Sequence, residues 1–323
     1  MPLTFDLPLE KLISYEGTNP RPEDFDAYWD ASLEEMRMVQ PDIELVPAKF
    51  QTPYAECLNL YFTGVGKARI HARLVRPRHA RGANPAALMF HGYSGNAGDW
   101  SDKLPYAAMG FTIAALDCRG QGGSSQDTGG HSGMTWHGHI IRGIDGSPQN
   151  LMYRSIFLDA AQLAYIVMDM DHVDPTRVGV TGPSQGGALT LACAALAPEI
   201  KRAAPVFPFL CDYKRVWELD LDTNAYAELR DYFRWRDPLH LREAEIFTRL
   251  GYIDVQYLCP RIQADTYMAI SLRDQICPPS TQFAAYNKIA APKRLELYPD
   301  FAHEDLPGHT DRIFQFLREC LKT

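Results

Sequence analysis

Gly182-Pro183-Ser184-Gln185-Gly186 fits G-x-S-x-G, and its surroundings give the pattern chemical meaning. Val178 and Val180 before it read as the end of a buried strand, and Ala188 to Ala197 after it as a helix of small residues. Strand, pentapeptide and helix in that order form a nucleophile elbow, in which the serine sits on a sharp turn and lifts its hydroxyl above a sheet. The glycines are needed because a side chain there would strike the neighbouring strand and helix. The helix also aims its positive dipole end at the reacting centre. A serine hydroxyl is a weak nucleophile at neutral pH and needs a base; the base needs an acid to hold its tautomer. Asp274 lies in Ser271-Leu272-Arg273-Asp274-Gln275-Ile276-Cys277-Pro278-Pro279, just past a predicted strand, and His303 lies in Tyr298-Pro299-Asp300-Phe301-Ala302-His303-Glu304, just past the last one. Alone, Asp274 reads equally well as a helix cap before the proline pair, and His303 as an exposed loop histidine. His309 competes as the base but sits farther into the terminal segment. Asp300 is too close in sequence to His303 to orient its ring easily, and Asp265 lies inside its strand. The order Ser184, Asp274, His303, each in a loop after a strand, favours those three.

Acyl transfer also needs N–H donors where the oxyanion forms. One is expected from Gln185, the residue after the nucleophile, and the other from His91-Gly92-Tyr93, with Tyr93 preferred because Gly92 lets the backbone turn inward. His91 itself reads as a structural residue beneath the site. Arg119-Gly120-Gln121 reads as a structural motif beside it, Arg119 tying loops together and Gly120 allowing the turn. His131, His137 and His139 lie in a Gly-rich stretch without a spaced carboxylate or cysteine partner, and H-E-x-x-H does not occur, so a metal site is disfavoured. No G-x-x-x-x-G-K-[ST] is present, and nothing marks a dinucleotide site.

The elements that must position these residues follow from hydrophobic period. Pro20-Arg21-Pro22-Glu23-Asp24-Phe25 starts a helix on which Phe25, Tyr28, Trp29, Leu33 and Met36 recur at helical spacing. Residues 57–63 and 68–75 alternate and flank Gly64-Val65-Gly66, predicting an antiparallel hairpin. Ala86 to Phe90, Phe111 to Leu116, Ala203 to Phe207, Ile262 to Ile270 and Arg294 to Tyr298 are short strand candidates, with helices predicted over Ile156–Met168 and Thr310–Leu321. This alternation predicts an α/β fold with a mostly parallel sheet covered on both faces. Residues 1–40 are expected to form an N-terminal extension and about 212–255 a helical insertion, within a single domain spanning 1–323.

Composition narrows the function. The 323 residues carry a net charge of -8 with no basic stretch, which disfavours a nucleic-acid partner. The first residues lack a basic region followed by an apolar one, so no secretory signal is expected, and no apolar run is long enough to span a membrane. Seven scattered cysteines without C-x-x-C fit a reduced, cytoplasmic setting.

Arg119-Gly120-Gln121, Gly182-Pro183-Ser184-Gln185-Gly186 and His303-Glu304 together resemble the signature of carbohydrate esterase family 7, the acetyl xylan esterases and cephalosporin C deacetylases. Pro20 to Trp29, His91-Gly92-Tyr93, Arg236-Asp237-Pro238 and Cys277-Pro278-Pro279 agree with it along nearly the whole chain. The resemblance implies an α/β-hydrolase fold, a triad of Ser184, Asp274 and His303, and oxyanion donors at Tyr93 and Gln185. It further implies small acetylated substrates, no metal or organic cofactor, and an intracellular homohexamer. The stretch from His131 to Asn150 and the region around Trp217 to Trp235 depart from the expected pattern and leave the substrate open. Two alternatives remain: a serine peptidase of the prolyl-oligopeptidase type, although its propeller domain is missing, and a non-enzymatic binding protein on a hydrolase scaffold.

Overall fold

The computed structural model describes residues 5–79, 82–129 and 139–319. The strands are β1 (Glu44–Pro47), β2 (Ala55–Thr63), β3 (Arg69–Pro77), β4 (Asn84–Phe90), β5 (Thr112–Leu116), β6 (Val173–Pro183), β7 (Arg202–Val206), β8 (Asp265–Ser271) and β9 (Lys293–Tyr298). They form one nine-stranded sheet in the order β1-β2-β3-β5-β4-β6-β7-β8-β9. The predicted hairpin is β2 and β3, paired antiparallel from Ala55↔Pro77 to Thr63↔Arg69. From β5 onward every ladder is parallel. This is the mostly parallel α/β arrangement expected, and its cause is visible in β5, where all five residues are buried. Such a strand needs cover on both faces, which crossover helices supply.

Helices α1 (Leu9–Leu12) and α2 (Phe25–Met38) precede the sheet, and α3 (Leu104–Ala108) and α4 (Met152–Met168) pack against it. Following β6 and β7 come α5 (Gln185–Leu196), then α6 (Tyr213–Glu218), α7 (Ala227–Arg236) and α8 (Glu243–Leu250). The chain continues through α9 (Pro279–Lys288) to α10 (His309–Arg318). The aromatic stripe of α2 enters the main core, with Phe25 and Trp29 fully buried. The Trp29 indole N–H donates to the Tyr252 carbonyl at 3.0 Å, joining the N-terminal segment to the region after α8. Asp212 continues that seam: it accepts from the Asn19 N–H at 2.8 Å and the Tyr15 hydroxyl at 2.8 Å. Strand β1 was not anticipated. All four of its residues are exposed, so it lacks the alternation that reveals a half-buried strand. No helix among the described residues is long and apolar enough to cross a membrane.

Candidate active site

The elbow is built by exclusion. A Cβ on Gly182 would lie 2.4 Å from the Phe90 carbonyl oxygen, and one on Gly186 would lie 2.1 Å from the same atom. Only glycine lets β4, β6 and α5 converge there. Between them Ser184 is held at φ 57°, ψ −118°, a conformation that costs a non-glycine residue about 1–3 kcal/mol and persists only where surroundings fix it. Its N–H donates to the Val206 carbonyl at 2.9 Å, while its own carbonyl accepts from Phe209 at 3.0 Å and Ala188 at 3.1 Å. Gln185 opens α5, so its N–H has no acceptor within the helix.

Asp274 and His303 meet in the loops after β8 and β9. The His303 Nδ1–H donates to Asp274 Oδ2 at 2.8 Å, which leaves Nε2 as the basic nitrogen. Asp274 is fully buried, and Oδ1 accepts from the N–H groups of Ile276 at 2.9 Å and Cys277 at 2.8 Å. Gln282 Nε2 adds a donor to Oδ2 at 3.3 Å. The Phe207 ring packs on the His303 ring at 4.6 Å. The Cys277 thiol lies beside the Ser184 hydroxyl, and its sulfur lies within 4.8 Å of a His303 nitrogen and an Asp274 oxygen. Serine, histidine and aspartate thus gather around one sulfur. Nothing in local sequence pattern reveals that role for Cys277, since Ser184 and His303 come to its sulfur from distant parts of the chain.

The competing residues have other work. Asp265 pairs with Arg202 at 2.9 Å and Arg294 at 3.2 Å, and Asp300 is exposed. His309 is buried between the rings of Tyr267 and Tyr298, at 5.4 and 5.7 Å, where burial above all lowers its pKa to about 4.

Gln121 links the two loops that carry the expected N–H donors. Its Nε2 donates to Gln185 Oε1 at 2.7 Å, and its Oε1 accepts from the Ser94 N–H at 2.9 Å. Gln185 Nε2 returns a bond to Gln121 Oε1 at 3.0 Å, and the Tyr153 hydroxyl also donates to Gln185 Oε1 at 2.8 Å. The glutamine after the serine therefore locks its own backbone to the loop bearing Tyr93. Arg119 makes a two-bond contact with Asp159 on α4, at 2.7 and 2.5 Å, and Gly120 turns the chain at φ 70°. His91 Nε2 accepts from the Cys118 N–H at 3.0 Å, so Nδ1 carries the proton and donates to the Gly92 carbonyl at 2.7 Å. That pairing makes it a brace. Tyr93 packs edge-on against Phe209 at 5.7 Å. A cavity of about 380 Å³ on the α10 side is lined by residues including Pro183 and Phe207, but by neither Ser184 nor His303.

Among the three histidines weighed as metal ligands, His131 and His137 lie outside the described residues, and His139 is buried with its ring 6.4 Å from that of Tyr93. The adjoining backbone is held by Glu228 on α7, whose carboxylate accepts from Ile140 at 2.9 Å and Ile141 at 3.4 Å. Burial pushes this carboxyl up to about 8, against the opposing effect of those N–H groups and Arg142. A folded-state pKa above the unfolded value means the contribution is complete below about 4.5 and lost as pH rises through about 8. Glu228→Gln removes that proton. Between about pH 6 and pH 9 the wild type should therefore lose stability relative to the variant, by up to a few kcal/mol at about 1.4 kcal/mol per pH unit. Thermal unfolding of both proteins across this range checks it; parallel curves reject it.

The acetyl xylan esterase family model matches residues 1–320. The chain belongs to the acetyl xylan esterase family. Acetyl xylan esterase 1 from Thermoanaerobacterium sp. JW/SL YS485 is 58% identical, with a TM-score of 0.96 over 98% of this chain and 99% of that one. The acetyl xylan esterase from Paenibacillus sp. R4 is 35% identical, with a TM-score of 0.92 over 97% and 99%. Acetyl esterase Axe7A of Xylanibacter ruminicola is 26% identical over 292 residues, covering 87% of this chain; the chain spans 63% of that relative's length. The family match and the fold agree with what the three sequence motifs imply.

Proposed function

We propose that this member of the acetyl xylan esterase family is a serine carboxylesterase that deacetylates O-acetylated small molecules, acetylated xylo-oligosaccharides and other acetyl sugars foremost and cephalosporin C among them. The observation that carries the reading is the gathering of a strained Ser184 and the His303–Asp274 pair around Cys277. In this mechanism His303 Nε2 takes the Ser184 proton as Oγ attacks the acetyl carbonyl. Asp274 holds the imidazole tautomer and stabilises the imidazolium. The tetrahedral oxyanion is received by the N–H groups of Tyr93 and Gln185, each worth about 2.7–4 kcal/mol of transition-state stabilisation. The imidazolium then protonates the departing sugar oxygen. Water, deprotonated by the same nitrogen, hydrolyses the acetyl-enzyme and restores Ser184.

A small acyl group calls for a short acyl pocket. A pocket excludes a long chain sterically, whereas one methylene in apolar surroundings changes selectivity by only about 1–3 kcal/mol. Across p-nitrophenyl esters from acetyl to decanoyl, kcat/KM should fall steeply, and chromogenic aminoacyl amides should be poor substrates. Comparable rates for decanoyl and acetyl esters reject the deacetylase reading, and fast amide cleavage favours the peptidase. In the same reading the chain forms a homo-oligomer, the hexamer that family resemblance implies. Exposed Ile43, Leu45 and Val46 along the edge of the sheet offer apolar surface for it, and sedimentation equilibrium reads the mass. A cytoplasmic setting accords with the six described cysteines being unpaired and buried.

A further inference from the structure

Acyl transfer through Ser184, His303 and Asp274 gives no task to the thiol in their midst. Cys277 is fully buried, as is Asp274, and the His303 side chain is 18% exposed. A sulfur, an imidazole nitrogen and a carboxylate oxygen within 4.8 Å of one another are the donor types that zinc and cadmium select. Among the described residues no other group of three His, Cys, Asp or Glu donors is arranged this way. We infer that Asp274, Cys277 and His303 form a binding site for one thiophilic divalent cation, Zn2+ or Cd2+, and that the cation-bound protein is silent as an esterase.

The chemistry balances without a redox step. The Cys277 S–H proton leaves to solvent, a metal–sulfur bond forms, and His303 and Asp274 contribute lone pairs. If Nδ1 is the imidazole donor, its proton passes to Nε2. Thiolate and carboxylate together neutralise the two charges of the cation, so no net charge is left in a buried place. Zinc–sulfur bonds of about 2.3 Å and zinc–nitrogen or zinc–oxygen bonds of about 2.0–2.2 Å give tetrahedral edges of about 3.3–3.8 Å. Donor atoms already within 4.8 Å therefore need to close by about 1.5 Å at most. Asp274 is pinned by three backbone and side-chain donors besides His303, so the partly exposed His303 loop is the side that moves. The Ser184 hydroxyl or a water completes the coordination. Either way the imidazole cannot take the serine proton. Burial raises the thiol pKa well above its ordinary value, and the Asp274 charge adds to this.

The loss of activity rests on the esterase reading, whereas the binding does not, so both are measured. Metal-free full-length protein is titrated with CdCl2, followed by calorimetry and by the cadmium–thiolate charge-transfer absorption. ZnCl2 inhibition of p-nitrophenyl acetate hydrolysis, with reversal by EDTA, is measured for the wild type and the Cys277 variants, each against its own metal-free rate. The wild type should bind one Cd2+ per chain with the thiolate band and be inhibited reversibly by Zn2+. Cys277→Ser should lose the band, and both its affinity and its inhibition should weaken by at least the roughly 10–100-fold that losing even an outer-shell partner costs. Cys277→Ala serves if the serine variant does not fold. His303→Gln should keep the band at weakened affinity, and Ser184→Ala should still bind although it is inactive. No band in the wild type, a band that persists in Cys277→Ser, or zinc inhibition unchanged by that substitution each overturns the site. Binding without inhibition overturns the silencing, and with it the place of His303 in catalysis, while leaving the cation site standing.

Discussion

Ser184→Ala should lower kcat for p-nitrophenyl acetate by about 10⁶-fold, the loss typical of removing a serine nucleophile. The size follows from what remains. Without Oγ no acetyl-enzyme forms, and the N–H donors can only assist direct attack by water, which leaves residual catalysis of about 10³–10⁴-fold over the uncatalysed rate. The substitution is clean because the elbow does not depend on the hydroxyl. The bonds that hold residue 184 run through its N–H and carbonyl, to Val206, Phe209 and Ala188. Alanine carries the same Cβ into the same backbone conformation, so the strain stays as it is. Unfolding free energy should move by no more than about 0.5 kcal/mol. A steady-state assay with active-site titration, alongside thermal unfolding, checks both halves. Retention of more than about 1% of wild-type kcat, far above the loss expected of a removed nucleophile, means that another group attacks the ester.

Much of this site is legible in the chain because its geometry leaves few choices. A glycine two residues either side of Ser184 is demanded by the Phe90 carbonyl, so the elbow has a fixed spelling. Short apolar runs such as β5 can only be strands buried on both faces, and the polar residues that follow them must lie at one edge of the sheet. Position after the last two strands therefore marks Asp274 and His303 as candidates, and their side chains meet at 2.8 Å. What stays hidden depends on meetings between distant residues. Gln121 reads as part of a turn, yet its amide pairs with that of Gln185. Glu228 reads as one charge on a charged helix, yet it is 2% exposed and holds Ile140 and Ile141. Cys277 reads only as the start of the Cys277-Pro278-Pro279 stretch, and only the fold sets it against Ser184. In each case one side chain has several acceptable partners in sequence, and only tertiary packing picks between them. Strand β1 is hidden for another reason: an edge strand exposed along its length has no inner face to pattern.

Asp274→Asn should lower kcat by about 10⁴-fold with KM little changed, because it forces the wrong imidazole tautomer. The direction is set by the partners. The Ile276 and Cys277 N–H groups both point at Oδ1, so that position must stay an acceptor. An asparagine satisfies them only by placing its NH2 where Oδ2 now faces His303 and Gln282. His303 Nδ1 must then accept, the ring proton moves to Nε2, and the nitrogen needed to deprotonate Ser184 is occupied. Gln282 meets the same conflict. Its Nε2 donates to Asp274 Oδ2 at 3.3 Å and to the Cys277 carbonyl at 2.5 Å, so turning the amide to relieve one contact breaks the other. Leaving a buried donor without a partner costs about 1–3 kcal/mol, so a modest stability loss should accompany the loss of rate. Asp274 does not reach the substrate in the mechanism proposed above, which is why the effect belongs in kcat. Steady-state kinetics and thermal unfolding of the variant provide the measurement. A loss below about 100-fold, well short of what the wrong tautomer costs, would transfer the orienting role to another carboxylate, and Asp300, three residues before His303, would be the next to replace.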